Sequence, residues 1–188
     1  MRIIGGKWRG RRLAAPDGHA VRPTGDRVRE ALFNILEHGG FRPGGGSPLP
    51  GARVLDGFAG TGALGLEALS RGADHATFIE KDRVAQRALE ANIAGCGAAD
   101  QATVLRADCR TPPRATAACN LIFLDPPYGE GQAAPALTAL ADAGWLAEDA
   151  LCSVELGAKD DFTAPAGFTS LDERRYGAAR IVILQAGP

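Results

Sequence analysis

Cysteine, histidine and long apolar runs are scarce in this 188-residue chain, and each scarcity excludes something. The four cysteines (Cys96, Cys109, Cys119 and Cys152) form no C-x-x-C pair. The three histidines, His19, His38 and His75, are scattered, and neither H-x-E nor H-E-x-x-H occurs. A structural zinc and a disulfide framework are therefore unsupported, and no metal is expected. Free thiols in a reducing cytoplasm are the expectation. No run approaches the roughly 18 apolar residues of a transmembrane helix, so no membrane partner is expected. The start Met1-Arg2-Ile3-Ile4-Gly5-Gly6 lacks the apolar stretch of a secretory signal. A cytoplasmic monomer is the resulting expectation.

What is present is ordinary for one globular domain: 45% hydrophobic and 23% charged residues, enough to bury a sizeable core. The net charge of −1 is unevenly spread. Residues 1–30 hold eight basic and three acidic residues, a net of +5 that leaves −6 for the rest. Such asymmetry suggests an arm for nucleic acid or another polyanion. The candidates are Arg2, Lys7, Arg9, Arg11, Arg12, Arg22 and Arg27, with Trp8 available to stack on a base or to pack. An Arg-rich genomic composition would explain why 18 of the 21 basic residues are Arg, but not their clustering.

Hydrophobic patterning divides the chain into an arm, residues 1–25, and a domain, 26–188. The arm suggests two short strands, 2–4 and 11–13. Val28, Leu32, Ile35 and Leu36 share one face of a helix over 26–38, with Thr24 or Asp26 as its cap. Residues 39–51, rich in Gly and Pro, read as a linker before the core, 52–188. Strands are expected at 53–56, 76–80, 102–106, 120–125 and 150–156. Helices are expected at about 62–70, 82–94 and 133–143. Strands at 168–175 and 179–185 close the chain as a hairpin around Tyr176-Gly177-Ala178. Alternation of this kind implies an α/β fold, with a mostly parallel twisted sheet, helices on both faces and an antiparallel C-terminal hairpin strand.

The first expected core strand runs into Asp56-Gly57-Phe58-Ala59-Gly60-Thr61-Gly62-Ala63-Leu64-Gly65. Glycines there let the backbone turn sharply and approach a ligand, with helix N-terminal amides facing it. Gly60 to Gly65 matches G-x-G-x-x-G, a pattern expected by chance roughly 0.4 times at this glycine content, so its place between strand and helix carries the information. Glu80 ends the second core strand, where a carboxylate can accept both ribose hydroxyls; Lys81 follows it. NAD and S-adenosylmethionine both carry such a ribose. Two details favour S-adenosylmethionine. A dinucleotide loop usually places its first Gly directly after the strand, whereas here Asp56-Gly57-Phe58-Ala59 precedes Gly60, and Asp56 could meet a cationic amino-acid moiety through water or its amide. Asp108 is a third strand-end carboxylate, placed to accept an adenine amine.

Asp125-Pro126-Pro127-Tyr128 follows the apolar run Leu121-Ile122-Phe123-Leu124. Such a [DN]-P-P-[FYW] loop arises by chance only about 0.004 times at this composition, so it is specific. The prolines stiffen the turn and remove N–H donors. A carboxylate and the Pro126 carbonyl remain as acceptors beside an aromatic ring. This is a site for a planar, amino-bearing group. Two acceptors on the amine hydrogens draw its nitrogen toward sp³ and aim its lone pair at an incoming methyl.

With these residues, the chain resembles the RsmD family of bacterial small-subunit (16S) rRNA guanine-N2 methyltransferases. The resemblance also rests on Arg2-Ile3-Ile4-Gly5-Gly6-Lys7-Trp8-Arg9-Gly10-Arg11, on Arg22-Pro23-Thr24-Gly25-Asp26-Arg27-Val28-Arg29-Glu30 and on Phe58 through Gly72. Gly25 departs from the polar residue common there. The resemblance implies a Rossmann-like class I fold and S-adenosylmethionine as cofactor. It further implies methyl transfer to one guanine N2 of 16S rRNA, presented by the small subunit. Composition and spacing indicate only the cradle, the amine loop and the basic arm. A DNA adenine or cytosine amino-methyltransferase shares the loop but usually adds a target-recognition domain. A protein glutamine methyltransferase shares it too, commonly with Asn at the position of Asp125. An NAD-dependent oxidoreductase would leave Asp125 to Tyr128 unexplained, and a non-catalytic RNA-binding module would explain the arm alone.

Overall fold

The computed structural model describes residues 1–15, 23–41 and 44–187. Its chain order is α1 (Pro23–His38), β1 (Arg53–Gly57), α2 (Ala63–Ser70), β2 (His75–Ile79), α3 (Arg83–Cys96), β3 (Ala102–Leu105), β4 (Cys119–Leu124), α4 (Ala133–Asp142), β5 (Leu146–Gly157), β6 (Phe168–Tyr176) and β7 (Ala179–Ala186). The strands form one seven-stranded sheet in the order β3-β2-β1-β4-β5-β7-β6. The first five are mutually parallel, while β7 runs antiparallel between β5 and β6.

The sheet is covered on both faces, as the apolar strands require. Along β4, Leu121 and Phe123 enter one core while Ile122 and Leu124 enter the other. The first core takes residues of α1, α2 and α3, with the Phe33 and Phe123 rings 5.6 Å apart. The second takes Ala136, Leu137 and Leu140 of α4, with Trp145. Each large side chain fully buried here contributes about 1.5–3 kcal/mol.

Several boundaries differ from the sequence reading. Helix α1 begins at Pro23 rather than residue 26, and proline suits a first helical turn because no N–H is needed there. The residue-25 boundary therefore falls inside α1. Asp26 does not cap the helix; its Oδ1 accepts from Arg29 Nη2 at 3.0 Å. Helix α3 runs on to Cys96 because Gly97, at φ +64°, supplies the left-handed stop, while Asp82 caps its start through Val84 and Ala85 N–H. Strand β5 starts at Leu146, before a register break ahead of Leu151. The two strands expected in the arm reduce to one bridge, Arg2 to Arg12, around a 3-10 turn at Gly6–Trp8. The ladder stops because Ile4 and Gly5 donate their N–H groups to Glu67 instead. Ile3 and Leu13 of this ribbon are buried in the first core.

Candidate active site

The sheet order reverses between β1 and β4, and a parallel sheet opens a crevice at its carboxyl ends where that happens. A cavity of about 620 Å³ lies there. Phe58, Ile79, Glu80, Lys81, Ala107 and Asp108 line one half; Asp125, Pro126, Pro127, Tyr128, Gln132 and Glu155 line the other. Met1, Asp26 and Val28 close it from the ribbon and α1. Strands far apart in sequence thus bring eight of the expected site residues to one cavity.

The glycine loop lies beside the cavity, and only its Phe58 reaches the wall. Gly62 sits at φ +80°, and a Cβ there would lie 2.3 Å from Leu89. A Cβ on Gly65 would lie 2.4 Å from the Phe78 ring. Both positions are closed to larger residues, which fixes how tightly α2 meets the sheet. Phe58 carries φ +60°, a strained value for a non-glycine residue, and its half-buried side chain stands in the cavity wall. Asp56, Gly57, Ala59, Gly60, Thr61, Gly62 and Gly65 are not themselves in the wall. Asp56 is 1% exposed, and its Oδ2 accepts the Gly65 N–H at 2.8 Å. Burial pushes its carboxyl up to about 8, opposed by the Gly65 amide and helped by the charge of Glu80.

Glu80 is half-buried and held by two backbone amides, Gly60 on Oε2 and Asp82 on Oε1, both at 2.8 Å. A carboxylate has about four acceptor positions, so it retains capacity for ribose hydroxyls. Asp108 takes Arg110 Nη2 on Oδ2 at 2.7 Å and Arg110 Nε on Oδ1 at 3.0 Å, with Lys81 Nζ at 3.4 Å. Those hydrogen bonds, the Arg110 side chain first, hold the Asp108 carboxyl well below its usual range. Apolar Phe58, Ile79 and Ala107 with terminal acceptors Glu80 and Asp108 make a slot that fits a nucleoside.

In the other half, Asp125 is exposed and Pro126 buried. The Tyr128 hydroxyl donates to Glu155 Oε1 at 2.5 Å. Sequence reasoning missed Glu155, Arg110, Gln132 and the buried Glu67. The available signal for Glu155 and Glu67 was a carboxylate inside an apolar strand and an apolar helix. All four cysteines are buried and free; burial raises Cys109 and Cys152 to about 12 and Cys119 to about 11, so none is a ready nucleophile. Among the described residues no group of side chains could hold a metal ion, and no helix is long and apolar enough to cross a membrane.

Arg2, Lys7, Arg9, Arg11, Arg12 and Arg27 are exposed. Trp8 is partly buried against the core, with Lys7 Nζ 4.4 Å from its ring centre. Arg22 lies outside the described residues.

Residues 1–185 match the protein family described as Conserved hypothetical protein 95. Ribosomal RNA small subunit methyltransferase D of Escherichia coli (strain K12) is 41% identical over 178 residues, spanning 94% of this chain and 85% of that protein. The chain belongs to this family. The methyltransferase of the same name from Haemophilus influenzae is 36% identical over 94% of this chain and 89% of its own. In solved structures the family geometry recurs in yhhF of Escherichia coli, with a TM-score of 0.84 and 40% identity, covering all of this chain and 98% of that one. TrmN of Thermus thermophilus shares the fold at 23% identity, with a TM-score of 0.67 over 85% of this chain and 48% of that one. The protein is a methyltransferase with a Rossmann-like class I fold.

Proposed function

We propose that this enzyme moves a methyl group from S-adenosylmethionine to the exocyclic N2 amine of a guanine in small-subunit (16S) rRNA, in the cytoplasm. The observation that carries this reading is the shared cavity of Glu80 and Asp108 with Asp125-Pro126-Pro127-Tyr128. The similarity to the two rRNA methyltransferases supports the substrate.

Glu80, Asp108 and the Asp56–Gly65 loop would hold the cofactor: Glu80 at the ribose, Asp108 at the adenine amine, and Phe58 and Ile79 along the base. Bound there, S-adenosylmethionine supplies an electrophilic methyl on a sulfonium, whose departure needs no acid. The chain's own work is on the nucleophile. Asp125 and the Pro126 carbonyl accept the two hydrogens of the target amine. Their pull localises the nitrogen lone pair, which in free guanine is delocalised into the ring. Tyr128 stacks on the base and fixes its plane, and Asp125 offsets the positive charge that develops on nitrogen until one amine proton is released to water. Positioning and electrostatics carry most of the catalysis. The exposed arginines of the ribbon bind phosphates of the surrounding RNA.

Two measurements test the reading. Calorimetry with S-adenosylmethionine and NAD in parallel should show binding of the first alone. Mapping of modified nucleotides in rRNA from a strain lacking the protein should reveal one N2-methylguanine missing from the small subunit. An unchanged rRNA methylation map would reject the substrate.

A further inference from the structure

The amine loop explains how an amino group is held but not why a guanine would be chosen. Adenine, cytosine and guanine all offer an amine. They differ in the ring atom beside it. In adenine and cytosine that atom is a bare nitrogen, an acceptor. Guanine alone has an N–H beside its amine, at N1; the atom on the other side, N3, is bare, so the discrimination lies at the N1 edge. An acceptor placed next to the amine site therefore favours guanine and repels the other two, because a buried polar group facing its own kind is left unpaired.

Glu155 stands at that place. The last β4–β5 pair is Leu124 opposite Val154, so Asp125 and Glu155 are the next residues on two adjacent parallel strands. Both line the same half of the cavity. Glu155 is half-buried between Val154 and Leu156, which are buried, in a strand otherwise apolar but for Ser153 from Ala150 to Leu156. A carboxylate in such a position needs hydrogen-bond donors to offset its lost hydration. Its hydrogen bond from the Tyr128 hydroxyl, 2.5 Å, ties it to the ring expected to stack on the target. Stacking plane and edge acceptor are thus joined. A carboxylate offers about four acceptor positions, so the Tyr128 bond does not by itself exclude a base N–H.

We propose that Glu155 accepts the ring N1–H of the target guanine, beside the N2 amine held by Asp125 and Pro126, and so selects guanine over other amino-bearing bases. This rests on the function proposed above. Gln132 is the competing acceptor in this wall. Its Nε2 donates to Glu130, which orients the amide, and its Oε1 is buried without a hydrogen bond. It lies beyond the loop in sequence rather than beside Asp125 across the strand pair, so the assignment falls on Glu155.

The test uses 2-aminopurine, which keeps the 2-amine of guanine but has a bare N1. Small subunits are prepared with guanine or 2-aminopurine at the mapped target, and kcat/KM is measured on both. Wild-type protein should prefer guanine by about 10²-fold or more. Glu155→Ala should slow guanine methylation and shrink the preference to within about tenfold, with S-adenosylmethionine affinity intact. Glu155→Gln, whose amide oxygen still accepts, should keep part of the preference, and Gln132→Leu should keep it in full. A purely structural role for Glu155 would lower both rates equally and leave their ratio unmoved. A wild-type ratio near one, a full preference in Glu155→Ala, or its loss in Gln132→Leu would overturn the assignment. Wild-type protein that binds S-adenosylmethionine yet methylates no guanine on the subunit would show a different failure, that of the underlying function, and would end this proposal with it.

Discussion

The Glu67 carboxylate holds the backbone of the N-terminal ribbon, with Ile4 N–H on Oε2 and Gly5 N–H on Oε1, each at 2.7 Å. Glu67 is fully buried on α2, and Arg71 Nε shares its Oε1 at 2.8 Å. Arg71 in turn reaches Glu37 of α1 at 2.8 Å and stands 4.9 Å over the Phe33 ring. One carboxylate therefore joins ribbon, α1 and α2. Glu67→Ala would leave Arg71 short of a partner and two amides without acceptors, and should cost about 3–5 kcal/mol of stability. Denaturant unfolding of the variant checks this; a loss below about 1 kcal/mol would mean water replaces the carboxylate at little cost.

This anchoring changes how the basic arm must be tested. Deleting the ribbon would remove Ile3 and Leu13 from the core and Met1 from the cavity wall. Neutralising Arg9, Arg11 and Arg12, all exposed, leaves those contacts alone. The triple alanine variant should bind small subunits more weakly, with the slope of log affinity against log salt shallower by about two to three. An unchanged slope would place the RNA on another face.

Asp125 and Tyr128 divide the work on the target base. Asp125→Ala should lower the single-turnover rate about 10²–10³-fold while S-adenosylmethionine affinity survives. Asp125→Asn keeps an acceptor oxygen and should retain partial activity. Tyr128→Ala should lose base stacking worth about 1–3 kcal/mol. Tyr128→Phe keeps the ring and loses the hydroxyl bond to Glu155, so its loss should stay near tenfold, about 1.4 kcal/mol. Near-wild-type methylation by Asp125→Ala would remove Asp125 from the mechanism.

Glu80 has two duties, since the carboxylate proposed to hold the ribose also pins Gly60 and Asp82. Glu80→Ala should weaken S-adenosylmethionine by about 1.5–3 kcal/mol, the cost of losing hydrogen bonds to a charged group. Calorimetry on the folded variant measures it. Unaltered affinity would leave Glu80 a loop support only.

The sequence makes the sheet legible because local signals agree there: buried strands are continuous apolar runs, and helices start and stop at Asp82, Gly97 and similar punctuation. It also makes Asp125 to Tyr128 legible, since a Pro-Pro-aromatic turn is rare and its chemistry is local. The ribbon is less legible. A basic, glycine-rich segment reads as a solvated arm, yet Ile3 and Leu13 find their cover only in three dimensions. Glu155 and Arg110 escape for the same reason, because each acquires its role from a partner distant in the chain or from the cavity it faces. Asp56 is the sharpest case. Its place at a strand end reads as a ligand carboxylate, whereas the fold closes Gly65 and α2 over it.

That closure gives Asp56 a measurable pH signature. Burial lifts its carboxyl from an ordinary 3.8 to about 8, the Gly65 amide pulling the other way and the charge of Glu80 adding to the rise. The unfolded chain releases this proton near its ordinary value, whereas the folded chain holds it until about pH 8. A folded pKa raised above the unfolded one gives stability that is whole below about pH 4 and is lost as pH climbs toward 8. Asp56→Asn has no proton to lose and still offers an oxygen to the Gly65 N–H. The stability difference, wild type minus variant, should therefore fall steadily between pH 5 and 8 and level off above, with the variant the more stable at alkaline pH. Melting temperatures of both proteins across that range decide it. Parallel curves would mean that Asp56 is already ionised in the folded state at neutral pH, and that water or a neighbouring group solvates it beneath the loop.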